Sequence, residues 1–329
     1  MNLLDIRNLR MYYQTQKGLV KAVDDVSIEL ESGESIGLAG ESGCGKSSLA
    51  YSIMQLLPPA ANIVGGNIYF KGDDLLRKSA HEMRDIRWKN VAIVFQGAMN
   101  ALNPVFEIGE QISEAILMHE NVTEEEALDR VSKLFEMVGL DPTRIHNYPH
   151  EFSGGMRQRA MIAMALACNP DLVIADEPTT ALDVTIQAQI LKLMQKLQKD
   201  LGLSLILITH DLSVIAETCD KTAIMYAGRI AELADVVSVF KEPIHPYAAG
   251  LVGAIPSMVK AEKKKLTSIP GSPPDLINPP SGCRFHPRCP YAKDICNQEN
   301  PAFEEIDPGR WVACHFAEEL KGQIAVDLD

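Results

Sequence analysis

The chain has 329 residues, of which 46% are apolar and 23% charged, so it has the apolar side chains for a packed core and is not a disordered chain. Its formal net charge of −13 argues against nonspecific binding of nucleic acid, because phosphates attract basic surfaces. No apolar run reaches the ~20 residues that a membrane-spanning helix needs, and Asp5 with two nearby arginines excludes a secretory signal. We therefore expect one large or two modest domains, in the cytosol or held on a membrane by other subunits.

Strands and helices alternate along most of the chain. Alternating or continuous apolar residues predict strands at 20–30, 35–39, 171–175 and 203–209. Helices are predicted over 48–57, from the capping box of Thr123 and Glu126 to about Gly139, and from Ile186 until Gly202 ends the apolar spacing. This alternation predicts an α/β fold with a parallel sheet and helices on its faces.

Residues 40–47, Gly-Glu-Ser-Gly-Cys-Gly-Lys-Ser, fit the phosphate-binding loop pattern between a strand and a helix. The glycines let successive backbone N–H groups face phosphate oxygens, and the following helix adds its positive end. Lys46 is predicted to contact the β- and γ-phosphates, and the hydroxyl of Ser47 to ligate Mg²⁺. The predicted ATP-contacting residues are Gly40, Ser42, Gly43, Cys44, Gly45, Lys46, Ser47 and Ser48.

Two adjacent carboxylates, Asp176 and Glu177, end the strand at 171–175. Ligands of open α/β sheets bind at this end of the strands. Neighbouring side chains on a strand point to opposite sides, so the two carboxylates have separate tasks. We assign Asp176 to Mg²⁺ and Glu177 to the general base that activates water.

A second anion site is predicted at residues 152–159, Phe-Ser-Gly-Gly-Met-Arg-Gln-Arg. Ser153 can cap a helix, and Gly154 and Gly155 let a phosphate approach its amide end. The apolar stretch 160–168 that follows is typical of a buried helix.

In order and spacing, these motifs resemble those of ABC-transporter ATPase subunits over residues 1 to about 255. The matching segments are the phosphate loop, Gln96, 153–158, Asp176-Glu177, 181–183 and Thr209-His210. The resemblance implies that two subunits pair head to tail, so that Ser153, Gly154 and Gly155 of one contact the γ-phosphate held by the other.

The resemblance also implies roles for single residues. Gln96 would couple Mg²⁺ and the attacking water to a transmembrane partner, Asp183 would lie at the subunit junction, and His210 would contact the γ-phosphate. Adenine would stack on Tyr13, with Tyr12 as the alternative. The predicted catalytic residues are Glu177, His210, Lys46 and Gln96, and the predicted Mg²⁺ ligands are Ser47, Gln96 and Asp176.

Three further segments resemble the dipeptide/oligopeptide permease ATPases: 95–104, 242–247 and the Pro- and Cys-rich stretch 283–290. That resemblance implies a second, related ATPase subunit in a heterodimer, although a homodimer is possible in isolation. It also implies two transmembrane permease subunits, an extracellular substrate-binding protein and a place on the cytoplasmic face of the membrane. Relatives also move oligosaccharides or nickel chelates, so these cargoes remain alternatives to peptides.

Four cysteines, Cys283, Cys289, Cys296 and Cys314, lie within 32 residues near the end of the chain. Thiolates select zinc or iron–sulfur clusters, but the tight Cys pairs of structural zinc sites are missing. The resemblance implies a [4Fe–4S] cluster; zinc, and unligated or disulfide-bonded cysteines, remain alternatives. His286 and His315 are possible substitute ligands.

We therefore predict a P-loop NTPase of the ABC type. Its ATPase core spans 1–255, with an N-terminal antiparallel β subdomain and an inserted α-helical subdomain near 97–160. A small irregular Cys-rich domain follows at 256–329. The predicted function is ATP hydrolysis that powers import of di- and oligopeptides through partner subunits. A DNA-repair type of ABC ATPase and an iron–sulfur redox sensor are the alternatives outside transport.

Overall fold

The computed structural model describes residues 2–97, 101–180, 182–255 and 269–324. These residues form two compact units. The first, here called the signature unit because it contains Ser153, Gly154 and Gly155, comprises Glu31–Glu34 and Arg77–Ile208. The second, here called the loop unit because it contains residues 40–47, comprises Asn2–Leu30, Ser35–Leu76 and the described residues from Thr209 onward.

The strands and helices follow one another along the described chain with these bounds. The strands are β1 (Asn2–Thr15), β2 (Gly18–Glu31), β3 (Ser35–Ala39), β4 (Ala61–Phe70), β5 (Asp73–Asp74), β6 (Val91–Val94), β7 (Leu172–Asp176), β8 (Ser204–Ile208), β9 (Lys221–Tyr226), β10 (Arg229–Asp235), β11 (Glu304–Asp307) and β12 (Arg310–Val312). The helices are α1 (Lys46–Met54), α2 (Ala80–Ile86), α3 (Ile108–His119), α4 (Glu124–Val138), α5 (Gly154–Ala165), α6 (Val184–Leu201), α7 (Leu212–Thr218), α8 (Val236–Lys241), α9 (Pro246–Val252), α10 (Ile295–Gln298) and α11 (Ala317–Leu320).

The loop unit contains two sets of paired strands. One is a sheet in the order β2-β1-β4-β5, in which β4 runs antiparallel to both β1 and β5. This sheet confirms the prediction of an N-terminal antiparallel β subdomain. In the other set, β3 pairs in parallel with β9, and β9, β10, β12 and β11 then pair in antiparallel fashion.

The signature unit contains the parallel strands β6, β7 and β8, with β7 in the middle. All five residues of β7 are buried, as expected of a strand that is paired on both edges and covered on both faces. Between β6 and β7 the described chain contains helices α3, α4 and α5, which confirms the expected inserted helices.

Helix α4 shows why this inserted region is helical. The hydroxyl of Thr123 accepts the N–H of Glu126 at 3.2 Å, while the Glu126 carboxylate accepts the N–H of Thr123 at 2.8 Å. This capping box satisfies two backbone donors at the start of the helix. Gly139, with φ of 74°, ends it. One apolar face, which includes the fully buried Phe135, packs into the unit.

The Cys-rich segment, defined as the described residues 269–324, packs within the loop unit. Strand β12 pairs with β10, and the buried Arg310 donates to the buried Glu232 at 2.9 Å. Arg284 is also buried and binds the carboxylate of Asp24 and the carbonyl of Ala227. Buried arginines therefore stabilise the attachment of a segment that has little regular structure of its own.

Some segments named above lie outside the described residues: 98–100 of the segment 95–104, Ala181 of the motif 181–183, and 256–268 of the predicted Cys-rich domain. In the described part of the chain, no helix combines the length and the hydropathy needed to cross a membrane.

Candidate functional site

Residues 40–47 run from the end of β3 into the first turn of α1, along a backbone path that requires glycine. Gly40 has φ of 151° and Gly45 has φ of 110°. A Cβ at Gly40 would lie 2.1 Å from the Met225 carbonyl oxygen, and one at Gly45 would lie 2.0 Å from that of Ala22. Helix α1 has no capping side chain and no acidic residue in its first turn. Its N-terminal N–H groups and helix dipole therefore favour an anion such as phosphate.

Lys46 is buried at the base of this loop. Its Nζ donates to the carbonyl oxygens of Gly40 at 2.8 Å and Glu41 at 3.2 Å. The Sγ of Cys44 lies 3.6 Å from the same nitrogen, and burial raises the pKa of this thiol. Cys44 is therefore a neutral packing group, whereas Lys46 supplies the positive charge of the loop. Ser42 and Gly43 are exposed at the loop's tip.

The two early tyrosines have different partners in the loop unit. The Oη of Tyr13 lies 3.0 Å from the Oγ of Ser48, in the first turn of α1. The Oη of Tyr12 donates to Asp24 at 2.6 Å, and burial together with this hydrogen bond raises the pKa of Tyr12 to about 12. The structure thus brings Tyr13 to the helix after the phosphate loop and ties Tyr12 to Asp24.

His210 is exposed and lies just before α7, where the Asp211 carboxylate accepts the N–H of Ser213. It lines a cavity of about 430 Å³ together with Gly40 and Glu41. The loop unit therefore places His210 and the start of the phosphate loop around one cavity that can admit a ligand.

In the signature unit, Gln96 and Glu177 meet at the carboxyl ends of β6 and β7. The Nε2 of Gln96 donates to Glu177 Oε2 at 2.7 Å, and the hydroxyl of Thr180 donates to the same oxygen at 3.0 Å. Asp176 is fully buried at the last position of β7, whereas Glu177 is half-buried. The two carboxylates therefore have different surroundings, as separate roles require.

The signature unit also brings the segment at 153–155 near the turn at Asp183. Ser153 is exposed and caps α5 by accepting the N–H of Met156 at 3.4 Å. Asp183 caps α6 by accepting the N–H of Ile186 at 3.0 Å. A Cβ on Gly155 would lie 2.7 Å from Ile186, so glycine here lets α5 and α6 pack closely. These caps are a structural task that Ser153 and Asp183 perform without any ligand.

The four clustered cysteines line one cavity of the Cys-rich segment, with His286 and His315 also in its wall. Burial raises the pKa of Cys289 to about 11 and that of Cys314 to about 12, so thiolates here need a neighbouring positive charge. All seven cysteines are described and none forms a disulfide. Among the described residues, no three His, Cys, Asp or Glu side chains are grouped so as to hold a metal ion.

Sequence reasoning missed one contact of the phosphate loop. Arg288, next to Cys289, forms a forked ion pair with Glu41, with N–O distances of 2.7 and 3.0 Å. The two residues are 247 positions apart, so no local pattern could have indicated the pair.

Two families match segments of the chain. The family described as "ABC transporter" matches residues 23–180, and the family described as "Oligopeptide/dipeptide transporter, C-terminal region" matches residues 231–296.

Several named proteins are similar over nearly the whole length of this chain. The probable peptide ABC transporter ATP-binding protein y4tR of Sinorhizobium fredii is 47% identical, over 97% of this chain and 96% of that protein. The oligopeptide transport ATP-binding protein OppD of Escherichia coli is 46% identical, over 95% of this chain and 92% of that protein. The dipeptide transport ATP-binding protein DppD of Bacillus subtilis is 48% identical, over 91% and 90%.

Solved structures share the fold. The ATP-binding cassette MJ0796, described as a dimer in a post-hydrolysis state bound to ADP and Pi, superposes with a TM-score of 0.64 at 26% identity. The match covers 71% of this chain and 98% of that one. CbiO1 of Clostridium perfringens, described as part of an ABC transporter complex, gives a TM-score of 0.62 at 27% identity, over 73% and 90%.

Proposed function

Because the chain belongs to the family of ATP-binding proteins of oligopeptide and dipeptide ABC transporters, we propose that it hydrolyses ATP to drive uptake of di- and oligopeptides. The observation that carries this proposal is the sequence identity of 46–48% to three named peptide-transport ATP-binding proteins, over at least nine-tenths of both chains in each case. The glycine-dependent phosphate loop supports it independently, because that backbone is suited to bind a triphosphate.

In the proposed ATP site, Gly40 and residues 42–48 surround the phosphates. Lys46 neutralises the β- and γ-phosphates, and Tyr13 stacks on adenine. The contact of Tyr13 with Ser48 supports Tyr13 over Tyr12 for this role, since Tyr12 is engaged by Asp24. His210 contacts the γ-phosphate; the cavity that it shares with the start of the loop supports this assignment.

Glu177 is the proposed general base that takes a proton from the water attacking the γ-phosphorus. Hydrogen bonds from Gln96 and Thr180 orient its carboxylate. Ser47, Gln96 and Asp176 offer the hydroxyl and carbonyl or carboxylate oxygens that Mg²⁺ prefers, and they are its proposed ligands. When bound, Mg²⁺ supplies neutralisation of phosphate charge.

A second ATPase subunit is proposed to complete the site. Ser153, Gly154 and Gly155 would contact the γ-phosphate bound to that subunit, with Asp183 at the junction. The exposure of Ser153 and the lack of an acidic residue in the first turn of α5 suit this role. The proposed partner is a related ATPase in a head-to-tail heterodimer, and a homodimer is the alternative for the chain in isolation.

A [4Fe–4S] cluster bound by Cys283, Cys289, Cys296 and Cys314 is proposed for the Cys-rich segment. The four thiols that line one cavity support this proposal. Because a cluster is larger than a single ion, its cysteine ligands can lie further apart than the four ligands of a zinc ion. The cluster would supply a covalent cross-link for a segment with few regular elements.

The remaining proposals concern assembly. The ATPase core spans 1–255, with helices inserted near 97–160, and the Cys-rich domain spans 256–329. The chain binds two transmembrane permease subunits at the cytoplasmic face of the membrane, and an extracellular binding protein delivers peptides to them.

Peptide uptake tests the proposed function. We expect cells that lack this chain to regain uptake of labelled di- or oligopeptides when they receive the natural chain, but not when they receive Glu177→Gln. Equal uptake with both chains, or restored uptake of an oligosaccharide or nickel chelate but of no peptide, would contradict the proposal.

A further inference from the structure

Glu41, the second residue of the phosphate loop, is bound through both its backbone and its side chain. Its N–H donates to the Oη of Tyr247 at 2.9 Å. Its carboxylate accepts two parallel hydrogen bonds from Arg288, Nη1 to Oε2 at 2.7 Å and Nη2 to Oε1 at 3.0 Å. A forked pair of this kind fixes orientation as well as charge.

Arg288 is itself immobilised by the Cys-rich segment and by β9. Its Nε donates to the carbonyl of Pro270 at 2.7 Å, and Nη1 also reaches the Oη of Tyr226 at 3.3 Å. The guanidinium lies over the rings of Tyr226 and Phe285, at 5.7 and 6.0 Å from their centroids. Only 5% of the Arg288 side chain is exposed, so a cation from the solvent cannot take the place of its guanidinium.

The same residue, Glu41, also contacts the lysine of the loop. The carbonyl oxygen of Glu41 accepts from Lys46 Nζ at 3.2 Å. A shift of Glu41 would therefore disturb the path of the loop and the position of Lys46. Without Arg288, the Glu41 carboxylate would also place an uncompensated negative charge at the edge of the cavity that Glu41 helps to line.

We propose that Arg288 of the Cys-rich segment is a positioning residue for ATP binding, which holds the start of the phosphate loop and neutralises Glu41. The Cys-rich segment then has a direct part in the ATP site of its own chain. This inference rests on ATP binding at the loop but not on a metal cluster.

A double-mutant cycle tests the proposal on the full chain, with the affinity for Mg²⁺-ATP measured by calorimetry and steady-state kinetics measured in parallel. We expect Arg288→Gln to weaken ATP binding about tenfold, because the half-buried carboxylate of Glu41 loses its partner at the loop. KM should rise with kcat nearly unchanged, since neither residue touches the reacting atoms. In the Glu41→Gln background, Arg288→Gln should lower the ATP affinity by at most about twofold, because the carboxylate that Arg288 neutralises is already gone. Arg288→Lys keeps the positive charge but cannot donate two parallel hydrogen bonds, so its ATP affinity should lie between those of the natural chain and Arg288→Gln.

Lys293→Gln is the matched control, because Lys293 pairs with Glu319 in the same segment and both side chains are exposed. It should leave ATP affinity unchanged. The proposal is wrong if Arg288→Gln lowers only the melting temperature. It is also wrong if Arg288→Gln lowers the ATP affinity equally in the natural chain and in the Glu41→Gln background, because Arg288 then only anchors the Cys-rich segment. A Lys46→Ala chain distinguishes failure of the proposed ATP site from failure of the proposed role of Arg288. If Lys46→Ala leaves the ATP affinity unchanged, the ATP site itself is contradicted. If Lys46→Ala lowers the ATP affinity but Arg288→Gln does not, only the role of Arg288 is contradicted.

Discussion

Glu177 has a backbone conformation that non-glycine residues rarely adopt, with φ of 45°. Such a conformation costs on the order of 1–3 kcal/mol and persists only where surrounding contacts enforce it. Here the N–H of Glu177 donates to the carbonyl of Ile208 at 2.9 Å, and its carboxylate is held by Gln96 and Thr180. The strained backbone and the hydrogen bonds together fix one carboxylate at the end of β7, which suits the general base proposed above.

Replacing Glu177 by glutamine should separate binding from chemistry. Glu177→Gln keeps the size of the side chain but cannot accept a proton, so we expect hydrolysis to fall by about 100-fold or more while ATP affinity stays within a few-fold. Phosphate release and ATP titration on the same preparation measure the two effects. Glu136→Gln, on an exposed position of α4, is the control and should change neither; full turnover by Glu177→Gln would contradict its role.

At the scale of elements, the sequence predicted the strands and helices whose first and last residues are determined by neighbouring residues in the chain. β3 has the predicted bounds, and α4 begins and ends within one residue of them, because Thr123, Glu126 and Gly139 act on their own neighbourhood. Helix α1, predicted over 48–57, instead begins at Lys46 and ends at Met54. Gln55 adopts a left-handed conformation there, and the prolines at 58 and 59 disfavour further helix.

The cap of α4 gives a prediction on stability. Thr123→Ala removes the acceptor of the Glu126 N–H, so the free energy of unfolding should fall by about 1 kcal/mol. Chemical denaturation of the isolated chain measures this loss. Thr123→Ser keeps the hydroxyl and should retain most of the stability; equal destabilisation by serine and alanine would show that the cap is not the cause.

At the scale of the whole molecule, the motifs predicted which residues carry chemistry but not all of their contacts. The pairing of Gln96 with Glu177 follows from β6 and β7 being parallel neighbours, which the motif order indicates only through a family resemblance. The contact of Arg288 with Glu41 depends on how the Cys-rich segment packs in the loop unit, and the spacing of residues in the sequence carries no signal for it.

The proposed cluster would be a property of the assembled Cys-rich segment. Protein purified without oxygen should be brown and contain roughly four iron and four sulfide atoms per chain. Cys289→Ala should lose most of this iron, whereas Cys219→Ala, which removes a buried thiol outside the segment, should retain it. Iron and sulfide analysis with absorption spectra measures the outcome. Zinc in place of iron, or metal-free protein, would contradict the cluster.

The most direct test of ATP binding at residues 40–47 is a calorimetric titration of the full chain with a non-hydrolysable ATP analogue and Mg²⁺. The natural chain should bind one nucleotide, and Lys46→Ala should weaken binding by about 100-fold, since it removes the loop's positive charge from the phosphates. Lys192→Ala, on an exposed position of α6, should bind like the natural chain. Equal affinity of the Lys46→Ala and natural chains, or no binding by either, would contradict a phosphate loop that holds ATP.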